Sequence, residues 1–399
     1  MNASRAVDGP ATATPGLSDP SARPIVFVLA GLPMGGAEAQ LTSLLEARPV
    51  DAGRPRVTIL TLTRDRDDAL VRRLKRLDVE IATVDRTVMR FPGFFLALVR
   101  WFRRARPTLV HTVLSGTPGT WGRLAARAAG VPIVVHSERS FAPARTVWQR
   151  RFEPLAHRLT DRFFTNARAV ADRLEAEGVP AGKIRVLRNG VDVARFARAD
   201  RAAARRAWNV DENAVVAGFL GSLRPVKRPD LLLDALAIVP EAERPDGVLF
   251  AGDGPLREGL RARVDADPWA REHVRFLGVV PDAAGFLAAL DYLVLTSDTE
   301  GLPNAILEAM AAGVPCLATR VSDVPELVTD NGQVVEPGDA GGLADAIRTM
   351  QRMSADERRA LGARGHARAK RDFELGVAAG RFWSAHDELL AARSALGRA

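Results

Sequence analysis

The sequence is poor in cysteine and in long apolar runs, and each shortage excludes a class of protein. A single cysteine, Cys316, among 399 residues leaves no internal disulfide and no cysteine-based zinc site. Cys316 lies in the apolar run 314–318, so we expect it to be buried. No apolar run approaches the roughly 18 residues that a membrane-spanning helix needs. Residues 1–22 lack the apolar core of a signal peptide, and their composition predicts a disordered tail.

Aromatic residues are also scarce, at 6% of the chain with one tyrosine. The net charge of +8 is compatible with nucleic acid, anionic lipid or an anionic substrate. No run of aromatic residues alternates with basic ones, so we predict no nucleic-acid partner. The six histidines show no metal-ligand spacing, so we predict no metal site, and no P-loop pattern occurs. The lone thiol fits a reducing compartment, so we expect a cytoplasmic protein.

Apolar runs of strand length alternate with helical stretches along most of the chain. The first series begins at 25–29, and the rhythm restarts at 215–220 after an arginine-rich, irregular segment. Strands that are apolar on both faces and separated by helices predict parallel sheets covered by helices. We therefore predict an α/β fold of two Rossmann-like, doubly wound domains facing a central cleft, residues 23–197 and 198–377. Ligands of such sheets lie beyond the carboxyl ends of the strands.

The most informative motif runs from Glu300 to Glu308 and follows a predicted strand. Pro303 suits the first turn of a helix, and Gly313 suits its end. The free N–H groups near residues 302–304 would then face the cleft from a helix N-terminus, which suits a diphosphate.

Each carboxylate of this motif has two interpretations. From the start of the helix, one carboxylate would reach sugar hydroxyls beyond the phosphates, and the other would reach ribose hydroxyls. Alternatively, Ser297-x-x-Glu300 matches a capping box, in which Glu300 only caps the helix. Glu308 would then be a solvated helix residue.

Two further segments follow the first strand of each domain. In 221–230, Arg224 can grip phosphate through two hydrogen bonds and Lys227 adds a point charge, or the segment is a solvated basic turn. Gly35-Gly36 precedes a predicted helix, where two glycines either allow close approach to a phosphate or sugar or only form a tight turn.

His111 follows the predicted strand residues Leu109-Val110, at the expected edge of the cleft. A histidine there is either catalytic or structural.

The segment 90–106 carries five arginines and no acid, with apolar residues at helical spacing. One interpretation is a helix on an anionic membrane surface. The other is an ordinary helix that packs on its sheet with a basic outer face.

Several motifs occur in one order along the chain. They are Gly35-Gly36-Ala37-Glu38, Asn189-Gly190-Val191-Asp192, G-x-L-x-x-x-K at 221–227, Gly252-Asp253-Gly254-Pro255, and E-G-L-P-N…L-E-A-M-A-x-G-x-P from Glu300 onward. In this order they resemble glycosyltransferase family 4, a group of retaining GT-B enzymes, over about residues 24–390.

The resemblance implies a role for each matching position. Arg224 and Lys227 would bind the donor diphosphate, and Glu308 would hold the ribose. Glu300 would contact the donor sugar beside the backbone of Gly301, Leu302, Pro303 and Asn304. Gly35 and Gly36 would approach the donor phosphate and the acceptor, and the turn at Gly278 and Val279 would meet the nucleobase. His111 would lie near the donor sugar, which makes His111, Glu300, Arg224 and Lys227 the implied catalytic set. The C-terminal helix 378–399 would return to complete the first domain.

Two positions depart from the family pattern. Many members carry H-x-H where this chain has His111-Thr112-Val113, so the second histidine is absent. Pro303-Asn304 stands where Phe-Gly is frequent.

The implied function is a hexosyltransferase-type enzyme (EC 2.4) that transfers a sugar with retention from a nucleotide-diphosphate sugar. UDP is favoured as the family's commonest nucleotide, and no cofactor or metal is required. The segment 90–106 suggests a lipid-linked saccharide as acceptor, in surface polysaccharide or glycoconjugate synthesis, and peripheral association with the inner face of the membrane. The alternatives are a GT-B protein that epimerises a nucleotide sugar and one that binds it without turnover.

Overall fold

The computed structural model of the chain describes residues 23–33, 35–49, 55–89, 91–141 and 146–396. The predicted disordered tail, residues 1–22, lies outside these residues. The described chain forms two parallel sheets flanked by helices, so the predicted α/β fold of two Rossmann-like domains is confirmed.

The first sheet has seven parallel strands in the order β3-β2-β1-β4-β5-β6-β7. The strands are β1 (Ile25–Leu29), β2 (Val57–Thr61), β3 (Glu80–Thr83), β4 (Leu109–Val113), β5 (Ile133–Glu138), β6 (Arg162–Thr165) and β7 (Ile184–Val186). The helices between them are α1 (Gly36–Glu46), α2 (Asp68–Arg76), α3 (Gly93–Ala105), α4 (Arg123–Ala128), α5 (Val147–Arg158) and α6 (Arg168–Ala176).

The second sheet has six parallel strands in the order β10-β9-β8-β11-β12-β13. They are β8 (Val216–Leu220), β9 (Gly247–Ala251), β10 (Val274–Gly278), β11 (Tyr292–Leu295), β12 (Cys316–Thr319) and β13 (Gly332–Val335). The helices are α7 (Val193–Ala197), α8 (Arg201–Ala207), α9 (Pro229–Ile238), α10 (Arg257–Ala266), α11 (Pro268–His273), α12 (Ala283–Ala288), α13 (Asn304–Ala312), α14 (Val324–Val328), α15 (Ala340–Arg352), α16 (Ala355–Asp372) and α17 (Leu375–Leu396).

Each sheet has an apolar core on both faces, which explains why its strands are apolar throughout. The first sheet packs α1, α2 and α17 on one face and α3 and α4 on the other. The second packs α9, α10 and α15 on one face and α7, α12 and α13 on the other. Cys316 is fully buried in β12, as its apolar surroundings predict.

The C-terminal helix α17 lies on the first domain, although it follows the second in sequence. Ala378, Phe382 and Trp383 join the core of the first sheet, and the Trp383 indole donates a hydrogen bond to the Leu44 carbonyl at 2.8 Å. Burying an aromatic side chain of this size provides much of the docking free energy.

The chain crosses between the domains twice, at adjacent positions. Residue Val191 exchanges backbone hydrogen bonds with Phe373 and Leu375, at 2.8 and 3.0 Å. Val193 and Phe196 of α7 already belong to the core of the second sheet. The first crossing therefore precedes the boundary near residue 197 that the sequence predicted. The short helix α7 was not predicted, because its sequence is rich in arginine. Its apolar residues face α13.

Candidate active site

Both switch points of strand order open onto the cleft. In a doubly wound sheet, the helices on the two sides of the switch point leave a crevice at the carboxyl ends of the strands. The first crevice lies between β1 and β4, and the second between β8 and β11. The loop after β1 leads to Gly35-Gly36, the loop after β8 holds Arg224 and Lys227, and the loop after β11 holds Glu300. The topology thus brings together motifs that are separated by up to 260 residues or so.

Lys227 and Glu300 form an ion pair on the second-domain wall of the cleft. The Lys227 ammonium donates to Glu300 Oε1, and the Ser297 hydroxyl donates to the same oxygen at 2.7 Å. Both charged side chains are mostly buried. Glu300 is therefore held in one orientation before any ligand enters.

The two loops that carry this pair are fixed to each other by the backbone. The Thr296 hydroxyl donates to the Lys227 carbonyl at 2.9 Å, and the Asp298 N–H donates to the Val226 carbonyl at 2.9 Å. Arg224 differs from Lys227 because its side chain is exposed and makes no hydrogen bond or ion pair with other described residues. Its guanidinium is open to a ligand.

The helix α13 begins one residue later than the sequence predicted. Pro303 is its N-cap and Asn304 its first residue, so the proline precedes the first turn. The N–H groups of Asn304 and Ala305 have no acceptor within the described chain, whereas those of the next two residues bond to the Pro303 carbonyl. An anion near this nine-residue helix would therefore meet two free donors.

The capping-box interpretation of Glu300 is wrong. Ser297 lies outside α13, and its hydroxyl bonds to the Glu300 carboxylate instead of a helix N–H group. The loop between Ser297 and Pro303 separates the Ser297-x-x-Glu300 pattern from the N-terminus of α13.

A directional chain of hydrogen bonds crosses the cleft. The Arg139 guanidinium donates to Asn189 Oδ1 at 2.5 Å, Asn189 Nδ2 donates to Asn304 Oδ1 at 2.6 Å, and Asn304 Nδ2 donates to the Gly36 carbonyl at 3.1 Å. A guanidinium can only donate and a carbonyl can only accept, so the orientation of both amides is fixed. The chain joins the start of α13 to the start of α1.

The glycines of the cleft are required by close contacts. A Cβ on Gly36 would lie 3.1 Å from Asn304 Nδ2, and one on Gly35 would lie 2.4 Å from the Glu38 carboxylate. A Cβ on Gly301 would lie 2.2 Å from the Arg139 carbonyl oxygen. At Gly301 the two domains meet backbone to backbone, which leaves no space for a side chain.

A second contact between the domains lies beside the cleft. Asp323 of the second domain accepts hydrogen bonds from the N–H groups of Arg168 and Ala169, at 2.8 and 3.0 Å. It caps α6 of the first domain, whose own N-cap residue, Ala167, has no side chain for this task. Arg188 adds an ion pair with Glu326 at 2.6 Å.

Glu308 lies a turn and more inside α13 and is mostly buried. Burial raises the pKa of its carboxyl to about 7, and the more distant charge of Arg195 opposes this only in part. Arg195 is itself 3.6 Å from Asp282. The interpretation of Glu308 as a solvated helix residue is therefore wrong.

The predicted nucleobase turn lies at the rim of the second domain. Gly278 ends β10 in the left-handed region, with φ of 71°, and its carbonyl accepts from the Gly252 N–H at 2.7 Å. The next residue, Val279, is exposed. An apolar side chain is thus exposed at the carboxyl end of the edge strand β10.

His111 does not lie at the cleft edge, and that expectation is wrong. The strand β4 continues through Val113, so His111 occupies its middle and is fully buried. Its ring bonds to His386 Nε2 at 2.9 Å and to the Ser137 hydroxyl at 2.7 Å. Burial, reinforced by His386, holds the pKa of His111 well below its usual 6.5.

The donor and acceptor roles in this buried group follow from the hydrogen bond between His386 and Phe382. His386 Nδ1 must donate to the Phe382 carbonyl, at 2.8 Å, which leaves Nε2 as an acceptor. His111 then donates from Nδ1 and accepts the Ser137 hydroxyl proton at Nε2. The group connects α17 with β4 and β5, and it holds the C-terminal helix on the first domain.

Three residues of the cleft lie outside the predicted catalytic and donor-binding sets, namely Glu38, Arg139 and Asn189. Burial raises the pKa of Glu38, partly offset by its own N–H group and by Arg139. Burial lowers the pKa of Arg139 to about 10. Their positions in the sequence could have identified them. Glu38 ends the glycine motif, Arg139 follows a strand, and Asn189 begins the N-G-V-D motif.

Comparison with known proteins identifies the family. A family profile described as "Glycosyltransferase Family 4" matches residues 34–195, and one described as "Glycosyl transferases group 1" matches residues 214–352. The chain is 31% identical over 267 residues to UDP-Gal:alpha-D-GlcNAc-diphosphoundecaprenol alpha-1,3-galactosyltransferase of Escherichia coli, a match that covers 63% of this chain and 68% of the relative. The chain belongs to glycosyltransferase family 4.

Other relatives of this glycosyltransferase agree. It is 32% identical over 291 residues to D-inositol 3-phosphate glycosyltransferase of Mycolicibacterium vanbaalenii, covering 62% of this chain and 61% of the relative. Its fold is similar to that of HepE of Anabaena in complex with UDP and glucose, with a TM-score of 0.78, 21% identity and coverage of 91% and 99% of the two chains. The enzyme is thus a GT-B glycosyltransferase, and the alternatives without glycosyl transfer are not favoured.

None of the helices in the described part of this glycosyltransferase is both long and apolar enough to cross a membrane.

Proposed function

We propose that the enzyme transfers a hexosyl group, with retention of anomeric configuration, from a nucleotide-diphosphate sugar to a phosphorylated or lipid-linked saccharide. The observation that carries this proposal is the second-domain wall of the cleft. There Lys227 pairs with Glu300, the exposed Arg224 lies in the same loop as Lys227, and α13, with its free N–H groups, begins four residues after Glu300. UDP is the favoured nucleotide because the E. coli relative is named for UDP-galactose and the Anabaena structure holds UDP.

The leaving group sets the main electrostatic demand of the reaction. Negative charge grows on the diphosphate as its bond to the sugar breaks. Arg224 and Lys227 would neutralise this charge, and the N-terminus of α13 would add two hydrogen-bond donors. These cationic groups do the work for which other enzymes use a metal ion, so the proposal includes no metal.

Glu300 and Glu308 would recognise the two ends of the donor. Glu300, held by Lys227 and Ser297, would accept hydrogen bonds from hydroxyls of the transferred sugar. Donor binding would draw Lys227 towards the diphosphate and free one Glu300 oxygen for the sugar. Glu308 would bind the ribose, and the turn at Gly278 and Val279 would contact the base.

Retention follows from a reaction on one face of the sugar. The donor sugar would pass through an oxocarbenium-like state, and the departing phosphate would take the proton of the acceptor hydroxyl. The backbone contacts at Gly36 and Gly301 hold the two domains close together, which would exclude water from this step. No catalytic base is needed, which agrees with the burial of His111 in the core.

The acceptor is proposed from the first domain and from the relatives. The names of both relatives contain a phosphorylated compound, a diphosphoundecaprenol-linked sugar and an inositol phosphate. A polyprenol chain would keep the acceptor in a membrane, so the enzyme would have to bind at that surface.

A surface of the first domain suits such binding, and it is larger than the segment 90–106. We call it the basic apolar face; it consists of the exposed residues of 91–104 and of α5. Its exposed apolar residues are Phe91 (60%), Leu96 (46%), Val147 (73%), Trp148 (66%) and Leu155 (47%). Its exposed arginines are Arg100, Arg103, Arg104, Arg150, Arg151 and Arg158.

Aromatic contacts make this face continuous. The Trp121 ring lies 5.0 Å from the ring of Phe91 and 5.3 Å from the ring of Phe152, which is on α5. No exposed residue of α3 or α5 in the described chain is acidic. Apolar side chains among arginines are the composition that binds anionic membrane surfaces. We therefore propose peripheral association with the cytoplasmic membrane face through both helices.

Release of nucleoside diphosphate from a panel of nucleotide sugars tests the catalytic proposal. The wild type should hydrolyse one donor slowly, and Glu300→Gln and Lys227→Ala should each lower the rate by about 100-fold. Lys370→Ala, which removes an exposed lysine outside the cleft, serves as the matched control. If the wild type neither binds nor hydrolyses any donor, with or without saccharide acceptors, the proposal is refuted.

Cosedimentation with vesicles tests the membrane proposal. Wild-type protein should bind phosphatidylglycerol vesicles much more tightly than phosphatidylcholine vesicles, and Leu96→Asp and Trp148→Asp should weaken binding about tenfold each. Ile238→Asp changes an exposed apolar residue of the second domain and should have no effect. Equal binding by all four proteins would contradict the assignment of this face.

A further inference from the structure

The crevice of the first domain lies between the loops that follow β1 and β4. These two strands pair in parallel with Val28 opposite Thr112, so the chain leaves them side by side at the carboxyl edge of the sheet. One loop leads to Gly35-Gly36. The other is 114–117, which we call the crevice loop. It therefore borders the cleft from the first domain, next to the glycines.

The crevice loop is open to a ligand. Its four residues are all half-buried. A Cβ on Gly116 would meet no atom within 4 Å, so there is free space at the centre of the loop. Leu114 has a left-handed backbone with φ of 67°, a conformation that bulky residues rarely adopt and that is concentrated at functional sites. The loop is thus held in a strained shape without being covered by a neighbour.

The side chain of Ser115 is fixed from below by Glu138. This glutamate ends β5 and is fully buried, and the Ser115 hydroxyl donates to its Oε2. Burial alone would raise the pKa of the Glu138 carboxyl. His136, Ser115 and Arg173 outweigh burial and hold that pKa at about 2. Since an ionised carboxylate can only accept, the Ser115 proton always points towards it.

The remaining capacity of Ser115 selects the kind of group that it can bind. With its proton committed to Glu138, the serine oxygen can only accept a hydrogen bond from a ligand. A saccharide hydroxyl can donate such a bond, whereas a fully ionised phosphate cannot. We propose that Ser115 binds a hydroxyl of the acceptor saccharide and that Glu138 positions it, an inference that rests on the glycosyl transfer proposed above.

The chain beyond the crevice loop connects this place with the basic apolar face. It continues directly to Trp121, whose ring lies 5.0 Å from the ring of Phe91 and 5.3 Å from that of Phe152. A lipid-linked acceptor whose lipid lies in a membrane at that face would thus extend its saccharide towards Ser115.

Transfer kinetics test this assignment with two acceptor probes, a farnesol-linked form of the GlcNAc diphosphate in the E. coli relative's name and D-inositol 3-phosphate. Ser115→Ala should raise the acceptor KM about tenfold, while UDP affinity and donor hydrolysis without acceptor stay at wild-type values. Ser115→Thr keeps the hydroxyl and should stay within a fewfold of wild type. Ser43→Ala is the matched control, since this half-buried serine of α1 also loses a hydrogen bond, with Arg73, and should have no effect.

Monodeoxy forms of the accepted probe separate a direct contact from a structural effect. One of them should raise KM about tenfold with the wild type and cause no further loss with Ser115→Ala, because the two changes remove the same hydrogen bond. Glu138→Gln no longer fixes the hydroxyl and should raise the same KM about fivefold with UDP affinity unchanged. If Glu138→Gln fails to fold, the deoxy series with Ser115→Ala still decides the assignment.

Three results would overturn the inference. Every deoxy compound could lose as much with Ser115→Ala as with the wild type, or Ser115→Ala could lower donor hydrolysis as much as transfer; either result would make the role of Ser115 structural. If the wild type hydrolyses a donor but transfers to neither probe, the acceptor class and this site fail while the donor half of the proposed function stands. If it binds no UDP, the proposed function itself fails first.

Discussion

Replacement of Glu308 by glutamine should separate stability from donor affinity, because its carboxyl is buried and its proposed ligand needs it ionised. With a pKa of about 7, roughly a tenth of these carboxyls are ionised at pH 6 and roughly nine-tenths at pH 8. If only the carboxylate binds ribose well, the affinity of the wild type for a nucleotide sugar should rise about tenfold between these pH values. In Glu308→Gln the rise should be absent and the affinity lower at pH 8.

The stability of the protein should change in the opposite direction. The folded protein keeps the Glu308 proton up to about pH 7, whereas the unfolded chain loses it near 4.5. This contribution to the free energy of unfolding is therefore fully present below pH 4.5 and lost as the pH rises through 7, by at most about 3 kcal/mol. Glu308→Gln should thus be more stable than wild type at pH 8 and equally stable near pH 4.5.

Two assays check these opposite trends. Urea unfolding gives the free energy, and titration with an intact nucleotide sugar gives the affinity, since its diphosphate does not titrate between pH 6 and 8. Glu272→Gln, an exposed acid on α11, is the control and should behave as wild type. A wild-type affinity that is flat over this range, or a rise that persists in Glu308→Gln, would refute the assignment of Glu308 to the ribose.

Substitutions at three further positions test the cleft and the buried group. Gly301→Ala places a Cβ 2.2 Å from the Arg139 carbonyl oxygen. It should lower donor turnover at least about tenfold with little change in Tm. Unchanged turnover would show that the domains need not meet there. His111→Phe should lower the free energy of unfolding, measured in urea, by about 1–3 kcal/mol, because His386 and Ser137 lose their hydrogen-bond partner. The folded variant should keep its turnover. Loss of turnover in a stable protein would return His111 to the catalytic set. Asn304→Asp cannot donate to the Gly36 carbonyl and puts a negative charge at the start of α13. Its UDP affinity, measured by calorimetry, should fall about tenfold with Tm unchanged. Asn304→Ala should lose less UDP affinity, and the reverse order would argue against a diphosphate at this helix.

Periodicity and turn residues were sufficient for most of the fold. Apolar runs predicted both sheets because parallel strands are buried on both faces, and this signal is local. The strand β3, Glu80–Thr83, was missed because it lies at the sheet edge and is only partly buried, so it carries no apolar run. The helix α7 was missed because its few apolar residues are surrounded by arginines.

Part of the candidate site could likewise be predicted from local sequence, and part could not. The sequence alone determined the family and the α/β fold. It also singled out Lys227, Glu300 and the start of α13, because each lies in a short continuous motif that can be recognised without the fold. Tertiary structure decided which side chains meet across the cleft. It placed His111 in the core beside His386, which lies 275 residues away, and it joined Arg139 to Asn304 through Asn189. Such contacts depend on strand length, on sheet order and on the return of α17, and no local pattern encodes them.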